Sequence, residues 1–559
     1  MDVAVDSKIP TYSGGLGVLA GDLLRSAADL ELPMVSVSLV HRKGYFDQRL
    51  DAHGNQLESP AKWSPENHLE SPSERVSVSI EGREVQLRAW RYDFCGITGH
   101  VVPLFFLDAD LPENDSADRG LTDFLFGGDE RYRLCQEVIL GLGGVAMLRA
   151  LGYRDIQVFH MNEGHSALAT LALMEEYART KTERQVSETE AEAVRRQCVF
   201  TTHTPVPAGH DRFPADLVYQ VLGNERGGAL ARLQLLDGSL NMTELALRFS
   251  GFVNGVSMRH GEVSRAMFPS YRIEAITNGV HAATWVSAPF AALYDRLLPE
   301  WRRDNCFLRY AVGIPIPEIR RAHAEAKNEL VRQIRWITGI QLDENVFTLG
   351  FARRATAYKR GDLLFTEVER LKRIARDTGP MQLVYAGKAH PRDEGGKAII
   401  RRIFEAGAAL ADDVRVVYLE NYDVALGRVL CSGVDLWLNT PLRPQEASGT
   451  SGMKAALNGV PSLSVRDGWW IEGHVEGITG WSIGDETTPE NDSTAEADSL
   501  YTKLDQHILP LFYREPDRFA QVMRFAIALN GSFFNTQRML SQYVRNAYVS
   551  CGGASSRMD

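Results

Sequence analysis

At 559 residues the chain is too long for a single hydrophobic core, so at least two domains are expected, each able to bury a sizeable interior. With 44% hydrophobic and 24% charged residues it has the make-up of a soluble globular protein and none of the bias of a disordered one. A net charge of -11 argues against a nucleic-acid or membrane-adsorbing surface, so any anion must be met in a local basic pocket.

The N-terminal segment has neither the basic nor the apolar region of a signal peptide, and no run is long enough to span a bilayer, which points to a cytoplasmic protein. Cys95, Cys135, Cys198, Cys306, Cys431 and Cys551 are scattered, without the spacing of a zinc or redox motif, and read as free thiols in a reducing compartment.

The first notable element is Tyr12-Ser-Gly-Gly-Leu-Gly-Val-Leu-Ala-Gly-Asp22, a turn between a short strand and a helical pattern starting near Val18. Glycines without Cβ atoms and a helix start with free N–H groups suit an approaching phosphate; a tight strand-to-helix connection explains the same residues. Short apolar or β-branched runs follow at 101–107, 156–160, 198–202, 346–352, 383–386, 414–419 and 434–438, alternating with helical patterns. That alternation predicts parallel sheets covered by helices. Residues 175–197 are dense in Glu, Arg and Lys at helical spacing and read as a solvated helix or helical hairpin.

Between 279 and 315 the pattern loosens, and a long amphipathic helix at about 317–337 then leads into a new strand. The domain junction is placed at 290–305, giving an N-terminal α/β domain over 1–290 and a C-terminal one over 306–550 whose last helices can return to the first domain. The expected fold is two Rossmann-like doubly wound domains facing across a cleft, with ligands beyond the carboxyl ends of the strands.

Behind the strand at 346–352 comes Arg353-Arg-Ala-Thr-Ala-Tyr-Lys-Arg360, four cations within eight residues. Like charges so close repel unless an anion compensates them, and guanidinium forks with an ammonium suit phosphoryl groups; a solvated basic turn is the plain alternative. Behind the strand at 434–438, Ser448-Gly-Thr-Ser-Gly452 forms a small-residue turn with hydroxyls and exposed amides, followed in the helix by Lys454 between Met453 and Ala455. A desolvated lysine there would be disposed to imine formation with an aldehyde cofactor, whereas an exposed helix lysine would do nothing special. Residues 484–499 read as an acidic surface loop and 551–559 as a frayed tail.

Glu446-Ala-Ser-Gly-Thr-Ser-Gly-Met-Lys454 resembles the cofactor-lysine signature of the glycogen and α-glucan phosphorylases. Other segments resemble that family in the same order: the glycine loop 12–22, Asn162-Glu-Gly-His165, Thr202-His-Thr-Pro-Val-Pro207, Thr277-Asn-Gly-Val-His281 with Trp285, the basic run, Gly387-Lys388 and Glu420-Asn-Tyr422. The short style, with Asp467-Gly-Trp-Trp470, is similar to the compact bacterial and archaeal branch, which implies no phosphorylation or nucleotide switch.

The resemblance implies the GT-B glycosyltransferase architecture and an α-1,4-glucan phosphorylase, which transfers the terminal glucosyl unit of glycogen or maltodextrin to inorganic phosphate with retention. It implies pyridoxal 5'-phosphate as a Schiff base on Lys454, with Thr450, Ser451, Gly452 and Arg353 around its phosphate and Tyr422 and Trp285 near its ring. Arg354, Lys359 and the Gly14-Gly15 turn are implied at the substrate phosphate, and His165, His203, Asn278, Glu446, Ser448 and Gly449 at the terminal glucose. Lys454, Arg354, Lys359, His203 and Glu446 form the implied catalytic set. No metal, nucleic acid or membrane is called for, and a homo-oligomer is compatible with the sequence.

Four features depart from the family pattern. Arg353 stands where a lysine is usual, Asp423 where many relatives carry an arginine, and Glu163-Gly164 where an Asp-Thr pair is familiar. The chain also begins close to the glycine loop, as in a naturally shortened enzyme or a truncated product. Two rival readings are a nucleotide-sugar-dependent glucan synthase, which has no use for an imine-forming lysine, and an inactive glucan-binding homologue, which would bind maltodextrin without yielding glucose 1-phosphate.

Overall fold

The computed structural model describes residues 1–179, 188–484 and 492–549, so the core of the acidic segment and the tail with Cys551 lie outside the described residues. Two compact units emerge. The first comprises Met1–Phe46, Pro60–Ile276 and the segment from Leu540; the second comprises Asp47–Ser59 and Thr277–Met539.

In the first unit, strands Phe159–Asn162, Cys198–Thr201, Phe252–Gly255 and Glu274–Ala275 form a fully parallel sheet in chain order. A second sheet pairs Ser36–Leu39 parallel to Val101–Asp108, and continues antiparallel through Arg83–Cys95 and Arg75–Ile80. The alternation of apolar runs does not foretell these antiparallel strands. Residues 156–158, expected in a strand, precede Phe159, where pairing with Cys198 begins. The charge-dense region contains the helices Leu168–Arg179 and Glu188–Arg195, with 180–187 outside the described residues.

The C-terminal segment is tied to this unit by a polar network. His160 Nδ1 meets the Tyr548 hydroxyl at 2.8 Å and its Nε2 meets the Thr201 hydroxyl at 2.8 Å, while Asn254 Nδ2 donates to the Tyr543 oxygen at 3.0 Å.

The second unit is built on six parallel strands in the spatial order Arg415–Leu419, Met381–Ala386, Phe347–Ala352, Leu436–Asn439, Ser462–Val465, Gly480–Ile483. All residues of Phe347–Ala352 and Met381–Ala386 are buried, which is why these strands read as unbroken apolar runs. The chain moves outward from Phe347–Ala352 to one side and then returns to start on the other side with Leu436–Asn439. That reversal is the topological switch point, where the loops leaving adjacent strands diverge and open a crevice. The helix Ile316–Thr338 covers the sheet with Ile319, Ala326, Leu330 and Ile334, and stops at Gly339, whose φ of 72° is left-handed.

Residues 277–290, assigned from sequence to the first domain, pack with the second unit: Arg538 donates to the carbonyls of Thr277 (2.7 Å) and Asn278 (3.0 Å), and Val280 bridges to Asn535. The hairpin Asp47–Leu50 with Gln56–Ser59 also belongs to this unit. Gln48 Nε2 donates to the Gly387 carbonyl (3.0 Å) and Gln56 Nε2 to that of Ala389 (2.8 Å), so two amides hold the loop after Met381–Ala386. Among the described residues no helix is long and apolar enough to cross a membrane.

Candidate active site

The two loops at the switch point of the second unit, with the helix Thr450–Ala456 behind the second of them, carry most of the candidate residues. Arg353 leaves Phe347–Ala352, and the next turn brings Lys359 back into the interior, 6% exposed. Glu446 lies in the loop after Leu436–Asn439, and its Oε2 accepts from Arg353 Nη2 at 2.6 Å and Lys359 Nζ at 2.5 Å. Burial alone would raise the Glu446 carboxyl; Arg353 and Lys359 outweigh it and hold the group at about 2. Glu446 is thus ionised, with Oε1 accepting no hydrogen bond among the described residues.

The fourth cation of the run serves the fold. Arg360 donates to the carbonyls of Thr440 (2.9 Å) and Pro441 (2.8 Å) and pairs with buried Glu496 at 2.5 Å, fastening the basic turn to the neighbouring loop. Arg354 is exposed and makes no hydrogen bond or ion pair among the described residues.

Gly449 ends the loop at φ 89°, a left-handed conformation that favours glycine, and the helix Thr450–Ala456 begins directly behind it. Ser451 Oγ is taken up by the interior, accepting from Trp437 Nε1 at 3.0 Å and facing Asn439 Oδ1 at 3.4 Å. Lys454 is 7% exposed, with Nζ 4.1 Å from the centroid of the buried Trp285 ring. The structure therefore selects between the two sequence readings of this lysine: its ammonium is inside, over an aromatic face.

Among the described residues, Arg353 Nε and Nη1, Ser448 Oγ and Asn439 Nδ2 are buried without a protein partner, and so is Asn278 Oδ1 elsewhere in this unit. Unpaired buried donors are costly, and the two nitrogens that Arg353 leaves over are what an anionic ligand with acceptor oxygens would satisfy.

The departure at 423 has a local cause. Asp423 caps the helix Val424–Gly433, accepting from Leu426 N at 2.8 Å, a task arginine cannot perform. Tyr422 packs against the core cluster that includes Leu426, Leu430 and Ala455. Gly387 lies so close to Arg353 that an added Cβ would stand 2.0 Å from the Arg353 carbonyl. Next to it, burial lowers Lys388 to about 8, against the opposing pull of Asp47 and Asp423.

Sequence reasoning missed two supporting residues. Asp467 Oδ2 accepts from the backbone N–H of Glu446 at 2.9 Å and orients its loop. Asn458 donates to the carbonyls of Trp285 (2.8 Å) and Lys454 (3.1 Å) and accepts from Ser287 N (2.7 Å). Asp467 opens a segment noted only for its resemblance and Asn458 lies just beyond Lys454, and neither has a local pattern that marks it.

The first unit holds a second group of candidates. Gly15 opens the helix Gly15–Asp29 with nothing within 4 Å of where a Cβ would be, so the position is open to a ligand. Gly14 is its extended N-cap, while Gly17 and Gly21 are packing glycines, against Asp2 and Tyr12 and against the Ala4 carbonyl. His165 is buried, with Nε2 2.5 Å from Met1 N, and burial holds it far below the usual histidine range. His203 follows Cys198–Thr201, and its Nε2 meets Asn162 Oδ1 at 2.6 Å.

The carbohydrate phosphorylase family model matches residues 224–476. The chain is 39% identical over 590 residues to a maltodextrin phosphorylase of Thermococcus litoralis, covering 98% of this chain and 70% of that protein. It is 37% identical to a glycogen phosphorylase of Mycobacterium tuberculosis, over 98% of this chain and 70% of that one. A glycogen phosphorylase of Aquifex aeolicus is 34% identical, over 96% of this chain and 83% of its own length.

Proposed function

Because the chain belongs to the carbohydrate phosphorylase family, we propose that it is an α-1,4-glucan phosphorylase, transferring the terminal glucosyl unit of glycogen or maltodextrin to inorganic phosphate and releasing glucose 1-phosphate. The observation that carries this reading is the buried Lys454 ammonium over Trp285, in the helix directly behind a loop where Arg353 and Lys359 converge on Glu446.

On this reading pyridoxal 5'-phosphate is carried by Lys454. The residues fit the group: the unpaired Nε and Nη1 of Arg353 would take its phosphate, with the Thr450, Ser451 and Gly452 amides, and Trp285 and Tyr422 would pack near the ring. When bound, the cofactor supplies a phosphate that exchanges a proton with the substrate phosphate, so its ring is no electron sink.

The chain's own residues do the rest. Breaking an α-glucosidic bond develops positive charge at the anomeric carbon, and a hydrogen phosphate dianion held beside it gives its proton to the departing glucan oxygen, stabilises that charge and attacks. Lys359 and Arg354 supply the charge that keeps this dianion in place. Glu446, ionised and with Oε1 available, accepts from hydroxyls of the terminal glucose, with Ser448, Gly449 and Asn278 in support. Attack from the face that the leaving glucan vacates gives retention. The free thiols among the described residues suit a cytoplasmic setting.

Phosphorolysis of maltodextrins of graded length, with and without added pyridoxal phosphate, tests the proposal. Glucose 1-phosphate formed only with cofactor, together with borohydride labelling of the Lys454 peptide, is the expected result. Fully loaded protein with neither product nor labelled Lys454 overturns it.

A further inference from the structure

The basic run turns back on itself at Lys359 and Arg360. The short turn Ala357–Lys359 ends on Arg360, which takes φ 45° and ψ 51°, a left-handed conformation that a side-chain-bearing residue rarely holds unless its surroundings impose it. Those surroundings are the loop after Leu436–Asn439. Leu442 N donates to the Tyr358 carbonyl at 2.7 Å, and the Thr440 hydroxyl shares its hydrogen between the carbonyls of Lys359 (3.0 Å) and Arg360 (2.9 Å). The Arg360 guanidinium returns the contact on the carbonyls of Thr440 and Pro441, and its Nη1 donates to the Ser493 hydroxyl at 3.1 Å.

Ser493 opens the helix Ser493–Lys503, and in its first turn Glu496 supplies the counter-charge. This carboxylate is buried between two guanidinium groups, with Oε2 2.5 Å from Arg360 Nη2 and Oε1 3.4 Å from Arg443 Nη2. Arg443 stands three residues before Glu446, so one acid on a third segment engages both loops of the switch point. The helix is itself fixed. The Tyr501 hydroxyl donates to the Leu364 carbonyl and accepts from Glu367 N, both at 2.9 Å, and Asp498 pairs with Arg370 at 2.7 Å. The stretch read from sequence as an acidic surface loop thus contains an acid with an interior task.

A buried carboxylate and a buried guanidinium are each costly alone, so each commits the other to its place. Lys359 adjoins Arg360, and with that residue fastened the Lys359 ammonium is delivered to Glu446 at 2.5 Å. Glu446 has a separate anchor in Asp467, and Lys454 one in Asn458. We propose that Arg360 and Glu496 are positioning residues, a clasp behind the basic turn that keeps the Lys359 ammonium in the anion site and thereby sets the affinity for the phosphate substrate. For its ligand the proposal rests on the phosphorylase reading; the hold on Lys359 does not.

The test uses the full chain loaded with pyridoxal phosphate. Glu496→Gln keeps the shape of the side chain and removes its charge, which leaves two guanidinium groups without their acid. The KM for phosphate should rise about tenfold, the loss of one charge-assisted hydrogen bond, with the KM for maltodextrin little changed. Arg360→Gly takes the left-handed conformation without strain, so a backbone role alone would leave this variant normal. The clasp instead predicts the same rise, with the double variant no worse than either single one.

Acylation of amines in the phosphate-free protein, mapped by peptide mass spectrometry, reads the hold directly. Lys359 should be modified about tenfold faster in Glu496→Gln than in wild type, as its segment opens locally. Lys327, buried at the amino ends of Phe347–Ala352 and Leu436–Asn439 on Asp435 and the Val346 carbonyl, should stay protected in both. Equal Lys359 labelling in the two proteins, Lys327 exposed in step with Lys359, KM rising equally for both substrates, or additive effects in the double variant would each overturn the proposal. Arg360→Gly carries the same labelling test should Glu496→Gln not fold. If wild type performed no phosphorolysis, the functional reading would fail while the labelling still decided whether the clasp holds Lys359.

Discussion

The Nζ of Lys454 stands 4.1 Å above the centroid of the Trp285 ring, and Asn458 donates to the carbonyls of both residues. Residues 169 positions apart are thereby held as one piece, and the aromatic face helps to keep the amine from bulk water.

This pairing makes Trp285 a determinant of cofactor retention. Trp285→Leu should weaken pyridoxal phosphate binding about tenfold, the loss of a cation–π contact and of ring packing. Lys454→Arg should abolish borohydride labelling and reduce phosphorolysis by at least about a thousandfold, since guanidinium cannot take the lysine's part. Spectroscopic titration of the cofactor-free protein measures the first and peptide mapping the second.

Arg353 places one nitrogen on Glu446 and leaves two without a protein partner among the described residues. Arg353→Met should lower cofactor affinity about a hundredfold, whereas Arg353→Lys should recover only part of it, because an ammonium restores the charge without the planar fork. Equal affinities for both variants would show that charge alone matters.

Glu446 contributes stability of a defined sign. Its carboxyl is depressed from 4.5 to about 2 in the fold, so the contribution is complete above pH 4.5 and is lost as pH falls through about 2. The displacement corresponds to about 3 kcal/mol. Glu446→Gln should be less stable than wild type at pH 7, with the difference vanishing below about pH 2. Denaturant unfolding across that range measures it.

Acid sensitivity between pH 6.5 and 4 has another source. Burial holds His160 and His260 at about 4 and His41 at about 3, so the unfolded chain takes up protons on these rings before the folded one does. Stability from their burial is complete above pH 6.5 and falls as pH drops towards 4. His160→Gln should cost stability at pH 7, where it breaks the contacts with Tyr548 and Thr201, yet flatten the decline of Tm from pH 7 to 5 seen by calorimetry.

The sequence by itself determined the elements whose cause is local. Buried strands such as Phe347–Ala352 show as apolar runs, and the small-residue turn in which Gly449 takes φ 89° is plain in its composition. Lys454 and the basic run were legible because a family motif lies in one short stretch of chain.

Only the tertiary structure decided what depends on partners far along it. It took Arg360 out of the anion site and onto Glu496, engaged Ser451 with Trp437, and brought the hairpin at 47–59 to the loop after Met381–Ala386. It also gave Asn458 and Asp467 their tasks. A hydrogen bond needs direction and contact within about 3 Å, and a linear pattern encodes neither for residues brought together by the packing of whole sheets.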